Sequence, residues 1–466
     1  MKEYITVIGL EVHIELKTKS KCFCSCANRF GDEPNTNCCP VCLAMPETIP
    51  SLNKEALIGT IKAGLSLGCT INDEAIFERK AYFYADMPKG YQLSQILKPV
   101  CLGGGLQTDD GFVGLKQIHL EEDAAKLIHE GNYSLVDFNR TGTPLIEIVT
   151  LPDIRGKKQA IEFLTKLRQA IIYSGAAECK MQEGGMRCDV NLSIMEKDAK
   201  EFGARVEMKN LNSFKMVERA IEYEENRQKK ILLAGGTVAI ETRKWDDDLS
   251  ENFAMRVKET AFQTPDPDIP TVIIDRATVE AIRKTLPLSP SARREKYVNE
   301  FKLPEYDANI LVLDRKISDL FDETNAICKN PKAVSNFIMS DVMGKLNESE
   351  DKEIKISAEN LAELITIVEG KKITRAIGKE LFGEVWQSGG SIKKIVADRN
   401  LTAGIPDGEL SLIIDAIIKT NQKATEDYGT KPEKVIQFFV GQVMKETRGK
   451  ANAEAVATII TNKLGN

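Results

Sequence analysis

Strict alternation of polar and apolar residues is the feature that most constrains the fold of this chain. In residues 10–16, a period of two places Glu11, His13 and Glu15 on one face of a predicted strand. Two later stretches show the same alternation, and their polar residues are Arg187, Asp189, Asn191, Ser193, Arg205, Glu207 and Lys209. This pattern predicts an antiparallel sheet with one covered and one open face.

The polar face of the predicted sheet carries more charge than an ordinary surface strand. The simplest explanation is that the face only meets water. However, carboxylates, an imidazole and guanidinium groups recur there, and like charges on one face repel unless a cation lies between them. Because Mg²⁺ is usually held by one or two carboxylates plus substrate phosphates, the face is also typical of a pocket for Mg²⁺ and a polyphosphate.

Further charged residues lie between these strands. Residues 119–123 form a dense acidic run that is either a solvated turn or part of the same site. Glu147 interrupts the apolar stretch 144–149, and a carboxylate in an apolar strand needs a cationic partner. Lys80 and Arg140 are candidates to contact phosphate.

Two common nucleotide-binding motifs are absent from the sequence. It contains neither a G-x-x-x-x-G-K-[ST] loop nor a G-x-G-x-x-G turn. Both motifs bind phosphates through a glycine-rich backbone that leads into a helix. A nucleotide is therefore not expected to bind in the manner of a P-loop or a Rossmann fold.

Six of the 11 cysteines fall within residues 22–42, in a turn-rich segment. Four of them form two close pairs, namely Cys24 with Cys26 and Cys39 with Cys42. Four thiolates in two pairs match a tetrahedral structural zinc site, which braces a loop and does no chemistry. Cys22 or Cys38 could replace one of these ligands, and a set of reduced thiols without metal is the alternative.

The composition excludes several classes of protein. With 42% hydrophobic and 28% charged residues, the 466-residue chain is expected to form a globular core. A net charge of −6 excludes a uniform basic coat on nucleic acid but not a local basic site. No uncharged apolar run approaches the roughly 18 residues of a membrane span. Residues 1–16 carry charges where a secretion signal needs an apolar stretch, so we expect a cytoplasmic protein with reduced thiols.

The periodicity changes along the chain and predicts three domains. Residues 1–292 mix strand-like and helix-like stretches, whereas 293–405 and 406–466 are dominated by helical periods. We therefore predict an α+β fold, in which an antiparallel-sheet domain precedes a helical domain and a small helical tail. In the first domain, Ser213 is expected to cap a helix that ends at Gly235.

Long motifs along the chain coincide with those of one family. In the first 292 residues they are GLEVHIEL at 9–16, the cysteine pairs around EPNTN, KAYFYADMPKGYQLSQ at 80–95, HLEEDAAK at 119–126, SLVDFNRTGTPLIEIV at 134–149, RCDVNLS at 187–193 and EMKNLNSFKMVERAIEYEENRQ at 207–228. In the helical part they are LPEYDANIL at 303–311 and GQVMKETRGKAN at 441–452. Together these motifs resemble the GatB family of glutamyl/aspartyl-tRNA amidotransferase subunits over essentially the whole chain.

The resemblance implies an ATP-dependent carbon–nitrogen ligase that works with an amidase subunit and a small third subunit. In that family, the amidase subunit releases ammonia from glutamine. The GatB-type subunit uses ATP and Mg²⁺ to phosphorylate the side-chain carboxylate of Glu on tRNA(Gln), or of Asp on tRNA(Asn), and ammonia then forms the amide. The resemblance also implies a cradle built on an antiparallel sheet and a YqeY-like tail that binds tRNA.

The resemblance assigns roles to individual residues of this chain. The catalytic and Mg²⁺-binding residues that it implies are Glu11, His13, Glu122 and Glu147. The cofactor-binding residues are Asp189 and, on the phosphate side, Lys80 and Arg140. The structural zinc ligands are Cys24, Cys26, Cys39 and Cys42. The choice of Glu122 over Glu121 comes from the family, because the pattern of residues alone does not decide between them.

The tail contains a local excess of positive charge. Its basic residues are Lys431, Lys434, Lys445, Arg448 and Lys450, against Glu433 and Glu446. These charges are expected either to contact tRNA phosphates or to form an ordinary solvated helix face.

One stretch departs from the family pattern. After residues 255–259, the family usually has a Tyr-Arg-Tyr-Phe stretch, whereas residues 260–270 read TAFQTPDPDIP. The departure raises an alternative, in which the chain is a divergent, non-catalytic paralogue that binds tRNA or supports assembly. Since the other motif residues are present, we expect an active enzyme subunit.

Overall fold

The computed structural model describes residues 3–255, 262–349, 351, 353–399, 401, 407–429, 431–447, 451 and 453–465. The chain divides into two compact units, Met1–Pro290 and Ser291–Asn466. In the part of the chain that the structure describes, no helix combines the length and the apolar character needed to cross a membrane.

Strands dominate the first unit. They are β1 (Tyr4–Glu15), β2 (Thr70–Ile71), β3 (Glu74–Ala75), β4 (Glu78–Ala81), β5 (Tyr91–Ser94), β6 (Cys101–Leu102), β7 (Gly105–Thr108), β8 (Gly111–Glu122), β9 (Lys126–Glu130), β10 (Tyr133–Asp137), β11 (Pro144–Thr150), β12 (Met186–Glu196), β13 (Val206–Leu211), β14 (Glu241–Asp246), β15 (Glu251–Ala254), β16 (Gln263–Pro265) and β17 (Val272–Ile273). The helices of this unit are α1 (Lys54–Ser66), α2 (Lys157–Ser174), α3 (Phe214–Leu233) and α4 (Arg276–Thr285).

The main sheet has the strand order β15-β14-β13-β12-β1-β11-β8-β6-β2, and β7 also pairs with β8. Its neighbouring strands are antiparallel except for β13 and β14, which are parallel. Three further small sheets join β9 with β10, β4 with β5 and β16, and β3 with β17. The predicted α+β fold with an antiparallel-dominated sheet is confirmed.

The alternation in β1 decides which face of the sheet is covered. Val12 and Ile14 are fully buried, in one core with Phe163 of α2 and Val217 of α3. Helix α3 begins where the sequence predicts, because the Ser213 side chain accepts a hydrogen bond of 3.1 Å from the backbone N–H of Met216. The charged residues of β1 therefore point to the opposite, open face.

The second unit is helical, as predicted. Its helices are α5 (Pro290–Asn299), α6 (Glu305–Leu311), α7 (Arg315–Cys328), α8 (Pro331–Phe337), α9 (Met343–Glu348), α10 (Ala358–Glu369), α11 (Arg375–Ser388), α12 (Ile392–Asp398), α13 (Asp407–Thr420), α14 (Gln422–Glu426), α15 (Pro432–Glu446) and α16 (Ala453–Leu464). A π-helical turn, Ile338–Val342, joins α8 to α9.

Two separate apolar cores occur within the helical unit. One core contains buried residues between Tyr297 and Val396, and the other contains buried residues between Leu410 and Ile460. The predicted boundary between 405 and 406 lies outside the described residues, so its position stays a prediction.

Candidate active site and metal centre

Strand register brings together side chains that are far apart in the sequence. In the antiparallel pair of β1 and β11, His13 lies opposite Glu147. In the pair of β11 and β8, Glu147 lies opposite His119. Directly opposed residues share one face of an antiparallel sheet, so these three side chains project from the open face.

The open face carries a compact cluster of His13, Glu121 and Glu147. His13 Nε2 lies 3.5 Å from Glu121 Oε1 and 3.7 Å from Glu147 Oε2. Ligand atoms of the three residues all lie within 4.8 Å of one another. Glu121 is buried, whereas His13 and Glu147 are partly exposed, so the cluster opens toward solvent on one side.

His119 lies behind the cluster and orients both carboxylates. Its Nε2 lies 3.0 Å from Glu147 Oε2 and 3.6 Å from Glu121 Oε2. Burial opposes the charged imidazole, but hydrogen bonds and charges from the two carboxylates outweigh burial and raise the pKa of His119 to about 9. Burial also opposes the charged form of Glu147, yet His119, His13 and Lys80 hold the pKa of Glu147 below its usual value.

The structure places Glu121, and not the predicted ligand Glu122, beside His13. Strand β8 ends at Glu122, and its side chains alternate between faces, so His119 and Glu121 share the open face while Glu122 points away. Glu122 instead forms a buried ion pair with Lys89 and accepts a hydrogen bond of 3.0 Å from the backbone N–H of Leu93. The acidic run is therefore not a solvated turn, since both glutamates are buried.

A second carboxylate cluster, formed by Glu11, Asp189 and Glu207, lies next to the first on the same face. Their ligand atoms also lie within 4.8 Å of one another. Lys209 donates to Asp189 Oδ2 at 2.5 Å and lies 2.9 Å from Glu207 Oε1, while Asn191 donates to Glu11 Oε1 at 2.9 Å.

The second cluster remains short of positive charge. Burial, together with the charges of Glu147 and Glu207, raises the pKa of Glu11. Among the described residues, the ammonium of Lys209 faces the three carboxylates of this cluster. The expected residues Glu11 and His13 thus lie two positions apart on β1 but belong to neighbouring clusters.

The predicted phosphate-side residues lie in two different settings. Lys80, on β4, is half-buried and forms no ion pair with any residue that the structure describes, although its charge reaches Glu147. Arg140 instead binds the buried Asp123, with Nε 2.7 Å from Oδ2. Arg187, opposite His13 on β12, also binds Asp123, at 3.0 Å. Arg140 Nε also lies 3.8 Å from Glu15 Oε1, so two guanidinium groups and two carboxylates meet at the edge of the open face.

Residues 260–261 of the stretch that departs from the family pattern lie outside the described residues. The described part of this stretch includes β16, where Gln263 lies opposite Lys80 of β4. Of the basic tail residues, Lys431, Lys434 and Lys445 are exposed, whereas Arg448 and Lys450 lie outside the described residues.

The four predicted cysteine ligands converge. Sulfur atoms of Cys24, Cys26, Cys39 and Cys42 all lie within 4.8 Å of one another. The backbone N–H of Cys39 donates to Cys42 Sγ at 3.2 Å, and the Lys21 ammonium lies 3.6 Å from the same sulfur. The Cys24 thiol, the Cys39 N–H and Lys21 hold the pKa of Cys42 below its usual value, against the effect of burial.

The cysteine quartet fits the predicted Zn²⁺, and the cluster of His13, Glu121 and Glu147 fits the predicted Mg²⁺. Zinc–sulfur bonds of about 2.3 Å place tetrahedral sulfur ligands roughly 3.8 Å apart, which the quartet accommodates. Two carboxylates and one imidazole that leave one side open suit a hard divalent ion that keeps positions for water and phosphate. The fold already brings both donor sets together, so binding needs no large rearrangement.

The residue pattern did not select Glu121 as a ligand. It placed Arg187 and Lys209 on polar strand faces but did not predict their pairing with Asp123 and Asp189. The spacing of two between His119 and Glu121 could have identified Glu121, once residues 119–123 are taken as the end of a strand. The other two pairings depend on register between strands distant in the sequence.

Two family models match most of the chain. Residues 6–280 match the family described as GatB/GatE catalytic domain, and residues 319–464 match the GatB domain. A relative from Carboxydothermus hydrogenoformans, named as the B subunit of aspartyl/glutamyl-tRNA(Asn/Gln) amidotransferase, is 45% identical over 478 residues, covering 100% of this chain and 99% of the relative.

Two further relatives carry the same name. The protein from Persephonella marina is 45% identical and covers 99% of this chain and 100% of its own length. The protein from Caldicellulosiruptor saccharolyticus is 46% identical, with 99% of both chains covered. Identity of this level over the full length makes the chain a member of the GatB family of aspartyl/glutamyl-tRNA(Asn/Gln) amidotransferase subunits.

Proposed function

We propose that the open face of the main sheet is the ATP- and Mg²⁺-dependent activation site of a tRNA amidotransferase, in which this chain is the GatB-type subunit. The proposed substrate is the side-chain carboxylate of Glu on tRNA(Gln) or of Asp on tRNA(Asn). Both aminoacyl-tRNAs appear in the name that these relatives carry.

The convergence of His13, Glu121 and Glu147 carries this proposal. Three strands supply one ligand each, and a buried imidazole behind them fixes both carboxylates. When bound there, Mg²⁺ supplies positive charge that neutralises the phosphates during transfer. Lys80 faces the same cluster with an ammonium that is unpaired among the described residues, so it is placed to steady the transferred phosphoryl group.

The proposed reaction has two steps. First, a side-chain carboxylate oxygen attacks the γ-phosphorus of ATP, and the bond to the leaving ADP breaks. Second, the nitrogen of ammonia attacks the acyl carbon, the carbon–oxygen bond to phosphate breaks, and inorganic phosphate and a proton leave. The residues of this chain position the carboxylate and the phosphate, while ammonia comes from a partner.

The resemblance supports an amidase subunit as the ammonia source and a small subunit as the third component. Exposed Lys431, Lys434 and Lys445 in the tail support contact with the tRNA backbone. The proposed tRNA substrate supports a cytoplasmic location. We further propose that the cysteine quartet binds a structural Zn²⁺, since its four sulfur atoms converge without a role in the reaction.

Replacing Glu121 tests the activation site in the complex reconstituted with the amidase and the small third subunit. Glu121→Gln should lower ATP-dependent amide formation on mischarged tRNA at least about 100-fold, because the amide loses the charge that binds the divalent ion. Glutaminase activity in the same complex should persist. The matched control is Glu130→Gln, an exposed glutamate at the end of β9, which should leave amide formation unchanged.

Assays on both Glu-tRNA(Gln) and Asp-tRNA(Asn) define which substrate the complex uses. Normal amide formation by Glu121→Gln on either tRNA would reject the metal assignment. No amide formation by the wild-type complex on either tRNA would instead favour a non-catalytic, tRNA-binding role.

A further inference from the structure

Lys21 is a lysine with no exposed surface, located beside the cysteine quartet. Its ammonium lies 3.6 Å from Cys42 Sγ and donates to the backbone oxygen of Phe138 at 3.1 Å. Within the described residues it forms no ion pair with a carboxylate. A buried ammonium is costly unless an anion lies close to it.

The anion required by Lys21 is supplied by a metal-bound quartet. Four thiolates around one divalent ion carry a net charge of −2, whereas a metal-free quartet in which Cys42 alone is ionised carries −1. We propose that Lys21 is the internal counter-ion of this metal centre and couples metal binding to the loop of residues 138–142. The inference rests on the proposed zinc site and adds a residue outside its four ligands.

The loop of residues 138–142 connects the centre to the open face. Lys21 binds the loop at Phe138, and the backbone N–H of Cys22 donates to Gly142 O at 2.7 Å. Gly142 has φ +81°, and a Cβ at this position would lie 3.6 Å from Lys21 Cδ and 3.8 Å from Glu122 Oε2. Between these contacts lies Arg140, which binds Asp123. The metal centre therefore braces the segment that holds Arg140.

The test compares Lys21→Met with the wild type in the full-length chain, each with and without metal. Zn²⁺ affinity is measured by competition with a chelator, and the melting temperature is measured for the metal-free and metal-loaded forms. Lys21→Met should bind Zn²⁺ at least about tenfold more weakly, because the net charge of −2 loses its buried partner. Lys21→Met should lower the melting temperature more in the metal-loaded form than in the metal-free form, because the buried ammonium faces the larger negative charge only when metal is bound.

Lys19→Met provides the matched control, since Lys19 is exposed and belongs to the same segment. It removes the same charge and should leave Zn²⁺ affinity and both melting temperatures unchanged. Should Lys21→Met fail to fold, Lys21→Gln keeps a donor for Phe138 O while removing the charge, and it should show the same tenfold loss of affinity.

Two outcomes would overturn the proposal, and they differ in meaning. Equal Zn²⁺ affinity and an equal metal-dependent gain in melting temperature for wild type and Lys21→Met would reject Lys21 as counter-ion while leaving the zinc site intact. A wild-type chain that binds no Zn²⁺ would reject the metal centre itself, and the role of Lys21 with it.

Discussion

Two adjacent glutamates at the end of β8 have different surroundings, because neighbouring residues in a strand face opposite sides of the sheet. Glu121 lies with His13 and Glu147 on the open face, where its charge is available to a divalent ion. Glu122 lies on the other face, where its carboxylate pairs with Lys89 and accepts a hydrogen bond from the backbone N–H of Leu93. Activity and stability are therefore expected to separate between these two positions.

Glu122→Gln should destabilise the protein by about 3 kcal/mol, since it leaves the Lys89 ammonium buried without a full negative partner. Glu121→Gln should cost less stability than Glu122→Gln, because His119 keeps Glu147 as a charged partner and Glu147 loses a repelling neighbour. Urea unfolding of each full-length variant without metal measures the two changes. A larger loss for Glu121→Gln than for Glu122→Gln would contradict the face assignment.

At the level of elements, the cysteine segment and the loop between β10 and β11 are joined by hydrogen bonds. The backbone N–H of Asn37 donates to Asn139 Oδ1 at 2.8 Å, and that of Phe138 donates to Asn35 Oδ1 at 2.8 Å. Neither segment has regular secondary structure at these contacts. Their mutual order is therefore expected to depend on the Zn²⁺ that we propose for the cysteine quartet.

Removing the metal should speed hydrogen exchange in residues 136–143 by at least about tenfold, because the loop loses its bracing partner. Exchange in α3 (Phe214–Leu233), which packs on the other face of the sheet, should stay unchanged. The measurement is hydrogen–deuterium exchange with mass spectrometry before and after chelation.

The double variant Cys39→Ser with Cys42→Ser serves as the reference for that experiment. It should show fast exchange in residues 136–143 whether or not a chelator is present. Slow exchange in residues 136–143 after chelation of the wild type would contradict the claim that the metal centre orders the loop that carries Arg140.

Across the whole molecule, features that follow from local sequence patterns were predicted more completely than contacts that depend on strand register. Alternation in residues 10–16 was sufficient to predict the sheet and its open face, and Ser213 marked the start of α3. Short spacing within two cysteine pairs predicted a quartet that the structure brings together. These features depend on neighbours within a few residues, so they can be recognised in the sequence alone.

Other features depend on which distant strands become neighbours. Lys209 reaches Asp189 because β12 pairs with β13, and the parallel pairing of β13 with β14 has no local signal. Lys21 gives no periodic signal either, since its burial follows from the fold of the cysteine segment. Sequence patterns predicted the types of residue in the site more completely than their pairing.

The central claim is that His13 and two glutamates bind one divalent ion, and a direct test is electron–nuclear double resonance of Mn²⁺ bound in the reconstituted complex. This chain has only three histidines and would be labelled with ¹⁵N-histidine. The account predicts a nitrogen coupling that disappears in His13→Gln and persists in His129→Gln, which changes an exposed residue of β9. Absence of the coupling in the wild type, or its persistence in His13→Gln, would contradict the account.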